Sequence, residues 1–220
     1  MIKRLFDVIA SISGIIVTGP LMVSAAVLIK LTSPGSIFYR AKRAGKGNKP
    51  FYMYKFRTMT QNADRKSTIT VGKDSRITWV GSVLRKAKID EFPQFFNVLK
   101  GEMSIVGPRP EDWNIVENYY SEEDLELLTI LPGIACPGQI YYYLFQIEEV
   151  PPEGMDAETF YIQRQLPIKL AYDMHYVQNS CLFYDFKIIF FTAAAIMSVV
   201  LHKKIPWKFT PAENYNISFR

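Results

Sequence analysis

Residues 85–110 have the sequence RKAKIDEFPQFFNVLKGEMSIVGPRP, and this stretch decides how the rest of the chain is interpreted. It opens on cations, places the carboxylates of Asp90 and Glu91 side by side, and closes on a Gly-Pro-Arg-Pro turn. Asp90 shortly before Pro93 predicts a helix start, with Asp90 as the N-cap and the proline in the first turn. The free N–H groups at such a helix start suit a phosphate.

The paired carboxylates allow two interpretations. In the first, Asp90 only caps a helix and the neighbouring cations form a solvated face, which is the usual role of an isolated D-E-x-P sequence. In the second, Asp90 and Glu91 hold a divalent metal, while Arg85 and Arg109 flank the phosphates that the metal bridges. The rest of the chain favours the second interpretation.

The composition indicates one domain with an apolar surface that meets something other than water. The chain has 220 residues, enough for one core and an appendage, and 49% of them are hydrophobic. The net charge of +5 fits a partner that is either a nucleic acid or an anionic membrane surface. Cys136 and Cys181 are far apart and lack metal spacing, so we expect reduced cysteines on a cytosolic face.

Residues 9–29 contain no charged side chain and are long enough to cross a bilayer as a helix. Gly19 and Pro20 fall in the middle, where proline removes a helical hydrogen bond. Cations flank both ends of the segment, and positive charge favours the cytoplasmic side. These features predict a helix–break–helix hairpin that enters and leaves one leaflet; a kinked single span is the alternative. The flanking cations are Lys3, Arg4, Lys30, Arg40, Lys42 and Arg43.

Beyond this segment, the pattern predicts both strands and helices. Residues 51–59, FYMYKFRTM, alternate as a strand that carries Lys55. Residues 182–201 form a second apolar run, whose uncharged part is short for a span and favours a helix lying along a membrane, with core packing as the alternative. The cations form no continuous stripe, so a nucleic-acid partner is not expected.

Taken together, these strings resemble the bacterial sugar transferases known as monotopic phosphoglycosyl transferases, or polyprenyl-phosphate hexose-1-phosphate transferases. The resemblance covers nearly the whole chain through KRLFD, YKFRTM, the D-E pair, FNVLKGEMSIVGPRP and FYDFKIIFFTA. It implies an α+β fold, in which a small α/β cytoplasmic catalytic domain, residues 33–220, rests on the membrane surface. Residues 1–32 would be the re-entrant helix hairpin, and interfacial amphipathic helices would complete the contact with the bilayer.

The resemblance also implies an activity. Such enzymes move a sugar-1-phosphate from a nucleotide-sugar to polyprenyl phosphate at the cytoplasmic face of the bacterial inner membrane. They use Mg²⁺ and release a nucleoside monophosphate, in the first membrane step of surface glycan synthesis. By position, Asp90 would be the nucleophile that forms a phospho-aspartate, and Glu91 its partner at the metal. Lys55, Arg85 and Arg109 would bind phosphate.

Two segments depart from the family pattern. The family's Ser-Pro break is Gly19-Pro20 here, and its R-P-G-I-T-G-W/Y-x-Q segment appears as LPGIACPGQ at residues 131–139. The arginine, the threonine and the large aromatic residue are therefore missing near the expected nucleotide-sugar site, although Gln139 is kept.

Three tyrosines follow Gln139 and are candidates to replace the missing groups. In an extended chain Tyr141 and Tyr143 share one face and Tyr142 lies opposite. We therefore expect Gln139, Tyr141 and Tyr143 to contact the nucleotide-sugar while Tyr142 packs inward. The alternative is that all three tyrosines are core or interfacial aromatics.

A catalytically silent membrane scaffold of the same fold is the rival hypothesis for function. Such a scaffold would lose the catalytic pair, whereas Asp90, Glu91 and the three phosphate-binding cations are all present. The expected partners are polyprenyl phosphate, a nucleotide-sugar and the lipid bilayer, and a homo-oligomer is compatible with the sequence. The sequence names neither the sugar nor the nucleobase.

Overall fold

The computed structural model describes residues 2–61, 63, 74–142 and 149–201, which form a mixed helix and sheet fold. The elements, in chain order, are α1 (Ile2–Thr32), β1 (Phe38–Gly45), β2 (Lys49–Phe56), α2 (Trp79–Lys86), a 3₁₀ turn (Ile89–Glu91), α3 (Gln94–Lys100), β3 (Ser104–Val106), α4 (Trp113–Tyr119), a second 3₁₀ turn (Asp124–Thr129), β4 (Gly133–Ala135), α5 (Pro137–Tyr141), α6 (Ala157–Phe160), a π-helical segment (Tyr161–Gln165), α7 (Leu166–Asn179) and α8 (Leu182–Leu201).

Helix α1 is continuous, so the predicted break at Gly19 and Pro20 is wrong. The helix has 31 residues and contains Pro20 without interruption. Proline removes one hydrogen bond, a loss that a long helix packed along one side tolerates. The buried positions repeat at helical spacing and therefore form a single stripe along the whole helix. They are Asp7, Ser11, Met22, Ala25 and Ile29.

The N-terminal part of α1 is fixed to the domain by polar contacts. The guanidinium of Arg4 donates to the carbonyl oxygens of residues 98–99, at 2.6 and 2.9 Å. Asp7 is buried, and its Oδ1 accepts from the hydroxyl of Ser104 and the backbone N–H of Ile105, both at 2.9 Å. A buried carboxylate is tolerated here because both bonds compensate for its lost hydration.

The C-terminal part of α1 packs on the same domain through apolar side chains. Met22, Ala25 and Ile29 form one cluster with residues of β2 and α2. These partners are Phe56, Val80 and Leu84. Both ends of a single helix therefore lie against one domain.

Two small sheets frame the interior. Strands β1 and β2 form an antiparallel hairpin, in register from Phe38 opposite Phe56 to Gly45 opposite Lys49. Strands β3 and β4 form a parallel pair. The largest core cluster lies between them and α3, α5, α7 and α8.

Asn97 sets the position of β2 relative to α3. Its side chain is fully buried, with Oδ1 accepting from the N–H of Tyr54 at 2.9 Å and Nδ2 donating to the carbonyl of Tyr52 at 2.8 Å. The same Nδ2 donates to Glu102 at 2.7 Å. Since β2 carries Lys55 and the turn before α3 carries the carboxylate pair, this amide aligns the two halves of the candidate site.

Helix α8 presents apolar side chains outward beside α1. Phe183, Phe186 and Phe190 are exposed, and Phe186 meets Phe6 edge-to-face with ring centroids 5.3 Å apart. Of the helices in the described ranges, α1 and α8 have the length and apolar composition that crossing a bilayer requires. The orientation of α8 along a membrane stays a prediction.

Gly81 is required by the close approach of α2 to the chain after β2. A methyl group at this position would lie 2.0 Å from the carbonyl oxygen of Thr58. Because that neighbour is backbone, we expect Gly81→Ala to destabilise the fold by about 3 kcal/mol or more. Thermal denaturation of the purified protein measures the change. Gly19→Ala is the control, since its methyl group meets nothing within 4 Å; equal melting temperatures for the two variants would contradict the prediction.

Candidate active site

One cavity of about 660 Å³ is lined by all five residues that were predicted to be catalytic or to bind phosphate. Strand β2 supplies Lys55, the last turn of α2 supplies Arg85, and the 3₁₀ turn supplies Asp90 and Glu91. Arg109 follows β3 in the Gly-Pro-Arg-Pro turn. These five residues share one cavity although Lys55 and Arg109 are 54 positions apart in the sequence.

Asp90 is not a helix cap, so that part of the sequence prediction is wrong. Helix α3 begins at Gln94, its N-cap is Pro93, and no side chain caps it. Asp90 instead lies in the preceding turn, which starts after Lys88 in the left-handed region at φ 59°. This tight turn directs the carboxylate into the cavity.

The Asp90 carboxylate is buried and incompletely satisfied. It is 7% exposed, and its Oδ1 has no hydrogen-bond partner among the described residues. Burial, and secondarily the charge of Glu91, raises the pKa of Asp90 to about 6, against the opposing charge of Lys55. A buried carboxylate oxygen without a partner costs stability, which is typical of a group kept for chemistry.

Glu91 is held by Lys55. The Nζ of Lys55 donates to Oε1 of Glu91 at 2.9 Å. Burial alone would raise the pKa of Glu91, but the charges of Lys55, Lys88 and Arg109 outweigh burial and lower it. For Lys55, burial lowers the pKa and outweighs the charges of Glu91 and Asp90. The pair brings a fixed negative and a fixed positive charge next to Asp90.

The two arginines are positioned by contacts that leave their charge directed at the cavity. Nε of Arg85 donates to Oγ1 of Thr58 at 2.7 Å. The backbone N–H of Arg109 donates to Asp173 at 2.8 Å, while its side-chain Nε has no partner among the described residues. Burial lowers the pKa of Arg109, but the charges of several neighbouring groups, Glu111 first among them, together outweigh burial and raise that pKa, so the guanidinium stays charged.

A second group of charged side chains lines the cavity beyond Arg109 and was not predicted from the sequence. Glu111 is buried, accepts a hydrogen bond from the hydroxyl of Tyr161, and lies 3.6 Å from Arg43. Lys169 of α7 lies on the same wall. Glu111 directly follows the Gly-Pro-Arg-Pro turn, and this adjacency was a usable signal. No local sequence pattern indicated Tyr161 or Lys169, because they reach the cavity only through the packing of segments that are distant in the sequence.

The tyrosine segment is helical rather than extended, so the predicted division of its faces is wrong. Pro137 begins α5, which continues to Tyr141. Tyr141 stacks on Tyr172, with ring centroids 4.8 Å apart, whereas Tyr142 lines the cavity. Tyr143 lies outside the described residues. Gln139 lines the cavity as expected, and its Oε1 has no partner among the described residues.

The donor set fits a magnesium ion that shares its ligands with a substrate. The described residues contain no group of three or more histidine, cysteine, aspartate or glutamate side chains that would enclose a metal. Asp90 and Glu91 offer two hard carboxylate donors, one with an unpartnered oxygen. Mg²⁺ is typically held by one or two carboxylates together with substrate phosphates.

The chain matches a family model described as bacterial sugar transferase over residues 1–199. It is 39% identical over 200 residues to a UDP-N-acetylgalactosamine-undecaprenyl-phosphate N-acetylgalactosaminephosphotransferase of Aeromonas hydrophila. It is 36% identical over 203 residues to a UDP-glucose:undecaprenyl-phosphate glucose-1-phosphate transferase of Xanthomonas campestris pv. campestris, and 36% over 210 residues to the exopolysaccharide production protein ExoY of Sinorhizobium fredii.

These matches cover most of this chain but different shares of the relatives. The aligned residues make up 90% of this chain in the match to the Aeromonas protein, 89% in the match to the Xanthomonas protein and 88% in the match to the Sinorhizobium protein. The aligned part spans 44% of the Aeromonas protein, 38% of the Xanthomonas protein and 84% of the Sinorhizobium protein. The chain thus spans less than half the length of the first two relatives.

Proposed function

Because the chain belongs to the bacterial sugar transferase family, we propose that it is a phosphoglycosyl transferase. It transfers a sugar-1-phosphate from a UDP-sugar to a polyprenyl phosphate such as undecaprenyl phosphate, substrates that the relatives' names contain. The observation that carries the proposal is the cavity in which Asp90 and Glu91 meet Lys55, Arg85 and Arg109.

The reaction proceeds in two displacements at one phosphorus atom. A carboxylate oxygen of Asp90 attacks the phosphorus that bears the sugar, a new O–P bond forms, and the bond to UMP breaks with its electron pair on UMP. An oxygen of polyprenyl phosphate then attacks the same phosphorus. The O–P bond to Asp90 breaks, the carboxylate is restored, and polyprenyl-diphosphate-sugar leaves.

The cations make an anionic nucleophile compatible with an anionic substrate. Lys55, Arg85 and Arg109 place positive charge around the position of the attacked phosphate, where negative charge spreads over the oxygens. Lys55 also keeps Glu91 ionised next to Asp90. Mg²⁺ bound by Asp90 and Glu91 with the substrate phosphates would screen the remaining repulsion.

The acceptor is confined to a membrane, and α1 supports a monotopic attachment to one leaflet. A helix of this length extends about 46 Å, and its buried stripe contacts the domain from Asp7 to Ile29. If α1 crossed the bilayer, part of the same domain would have to follow it across. A helix that stays with this domain at one leaflet, with both ends on the cytoplasmic side, avoids this.

We expect both ends of α1 to be labelled from the same side of sealed vesicles. Cysteines at Ile2→Cys and Ser36→Cys, in a chain with Cys181 replaced by serine, report the two ends to a membrane-impermeant maleimide. Pro20→Leu restores the missing hydrogen bond and is expected to shift molecules toward a spanning state. Gly19→Ala, which keeps Pro20, is the matched control. Opposite accessibility of the two cysteines in the unmodified helix would establish a span.

The activity is tested by release of UMP. The purified protein in lipid nanodiscs is supplied with polyprenyl phosphate, Mg²⁺ and a panel of UDP-sugars, and UMP and lipid-linked sugar are both quantified. We expect equal amounts of the two products with at least one sugar. Absence of both products across nucleotide-sugars with different bases would favour a catalytically silent scaffold instead.

A further inference from the structure

Lys169 is a buried cation that the proposed chemistry does not yet use. Its side chain lies on the cavity wall and is 6% exposed. Its Nζ is 4.4 Å from the ring centroid of Tyr142 and 4.4 Å from that of Tyr161. Within the described residues it has no hydrogen-bond acceptor, although an ammonium carries three donors. Two aromatic faces hold the charge without satisfying those donors.

We propose that Lys169 binds the phosphate of the leaving nucleoside monophosphate, an inference that rests on the proposed function. The charge of Arg109 acts both on Glu91, next to the nucleophile, and on Lys169. Lys169 lines the same cavity as Asp90 and Glu91, and it lies beside Tyr161, which is hydrogen-bonded to Glu111. The cavity therefore offers a position at Asp90 for the sugar-bearing phosphorus and a position at Lys169 for the second phosphate, and Arg109 lines the same cavity.

This position gives Lys169 a specific task in the first displacement. As the bond between the attacked phosphorus and UMP breaks, the electron pair stays on the oxygen of UMP, whose phosphate gains negative charge. An ammonium without another acceptor stabilises that charge by direct hydrogen bonds in a site shielded from water. Arg43, on the same wall, has a buried Nε without a partner among the described residues, and it supplies a second donor.

The electrostatic setting makes phosphate binding sensitive to pH. Burial, and then the charge of Arg109, lowers the pKa of Lys169 to about 7, against the charges of Glu111 and Asp173. A bound phosphate adds negative charge and so favours the ammonium form. Affinity for UMP should therefore fall as the pH rises from 7 to 8.5. The groups that face Lys169 from the neighbouring elements are Arg109, Glu111, Cys136, Tyr142, Tyr161 and Asp173.

The test compares Lys169→Met with Lys169→Arg in the full chain, using isothermal titration calorimetry with UMP and with uridine. We expect Lys169→Met to weaken UMP binding by about ten- to one-hundred-fold, the range for one lost charged hydrogen bond. Uridine binding should stay unchanged. Lys169→Arg should restore most of the UMP affinity and remove its decline above pH 7. Lys42→Met is the control, because Lys42 lies 4.7 Å from the ring centroid of Trp113 and outside the cavity.

Unchanged UMP affinity in Lys169→Met, with a melting temperature like that of Lys42→Met, would overturn the proposal. Equal weakening of uridine and UMP would also overturn it, because the lysine would then only support the pocket. These results do not depend on turnover. If the unsubstituted protein binds UMP as described but releases none from UDP-sugars, the proposed function fails while the assignment of Lys169 to phosphate stands.

Discussion

Asp90→Asn is expected to abolish sugar-phosphate transfer and leave the protein folded in the membrane. The amide is nearly the same size as the carboxylate, but it cannot attack phosphorus. Removal of a catalytic nucleophile costs a factor of about 10⁴ or more in turnover. UMP release in the presence of polyprenyl phosphate measures this loss. The matched control is Asp156→Asn, since Asp156 caps α6 at the surface and an amide still caps.

The same variant is expected to be more stable than the unsubstituted protein at neutral pH. The folded-state pKa of Asp90 is raised to about 6, so the folded protein binds this proton more tightly than the unfolded chain does. The ionised carboxylate therefore lowers stability above pH 6, and this penalty disappears as the pH falls toward 4. Melting temperatures without added Mg²⁺ should differ most above pH 6.

Two outcomes would contradict these expectations for Asp90. Turnover near that of Asp156→Asn would mean that Asp90 is not the nucleophile. A melting temperature well below that of the unsubstituted protein at pH 7.5 would mean that the carboxylate supports the fold rather than straining it.

Lys55→Met is expected to lower kcat by about 10² to 10³, the effect of removing one donor that stabilises transition-state charge. The substitution also removes the partner of Glu91, whose pKa should then rise because burial would no longer be offset by this charge. The variant should therefore lose more activity at pH 6 than at pH 8. Steady-state kinetics at both pH values provide the measurement.

Lys100→Met serves as the control for Lys55. Lys100 lies on the surface with its Nζ 4.4 Å from the ring centroid of Tyr54, so its loss changes the net charge equally without touching the cavity. If both variants lost the same activity, the effect of Lys55 would reflect the overall charge of the protein and not its position beside Asp90 and Glu91.

Part of the site was predictable because its members stand in short, specific strings. The D-E pair, the lysine of YKFRTM and the arginine of Gly-Pro-Arg-Pro identified Asp90, Glu91, Lys55 and Arg109, and the structure places all four on one cavity. The apolar residues 9–29 predicted a helix by length alone. Such inferences depend on local sequence patterns, so they remain valid even where the predicted backbone conformation is wrong.

The role of Asp90 could not be settled from local preference. Aspartate before proline usually caps a helix, but here a left-handed Lys88 and a tight 3₁₀ turn precede α3. The predicted orientation of the tyrosines was wrong for a related reason. Pro137 begins a helix, so the side-chain period is 3.6 residues and not two. As a result Tyr142, and not Tyr141, lines the cavity.

The sequence by itself determined the family, the adjacent carboxylates of Asp90 and Glu91 and the long apolar helix, because these depend on residue identity and spacing within short stretches. Only the tertiary structure decided what surrounds them. Packing of α7 against α5 brings Lys169 and Asp173 next to Arg109, and the amide of Asn97 aligns Lys55 with Glu91. These contacts join positions far apart in the chain, and their strength depends on burial, which no local pattern of residues encodes.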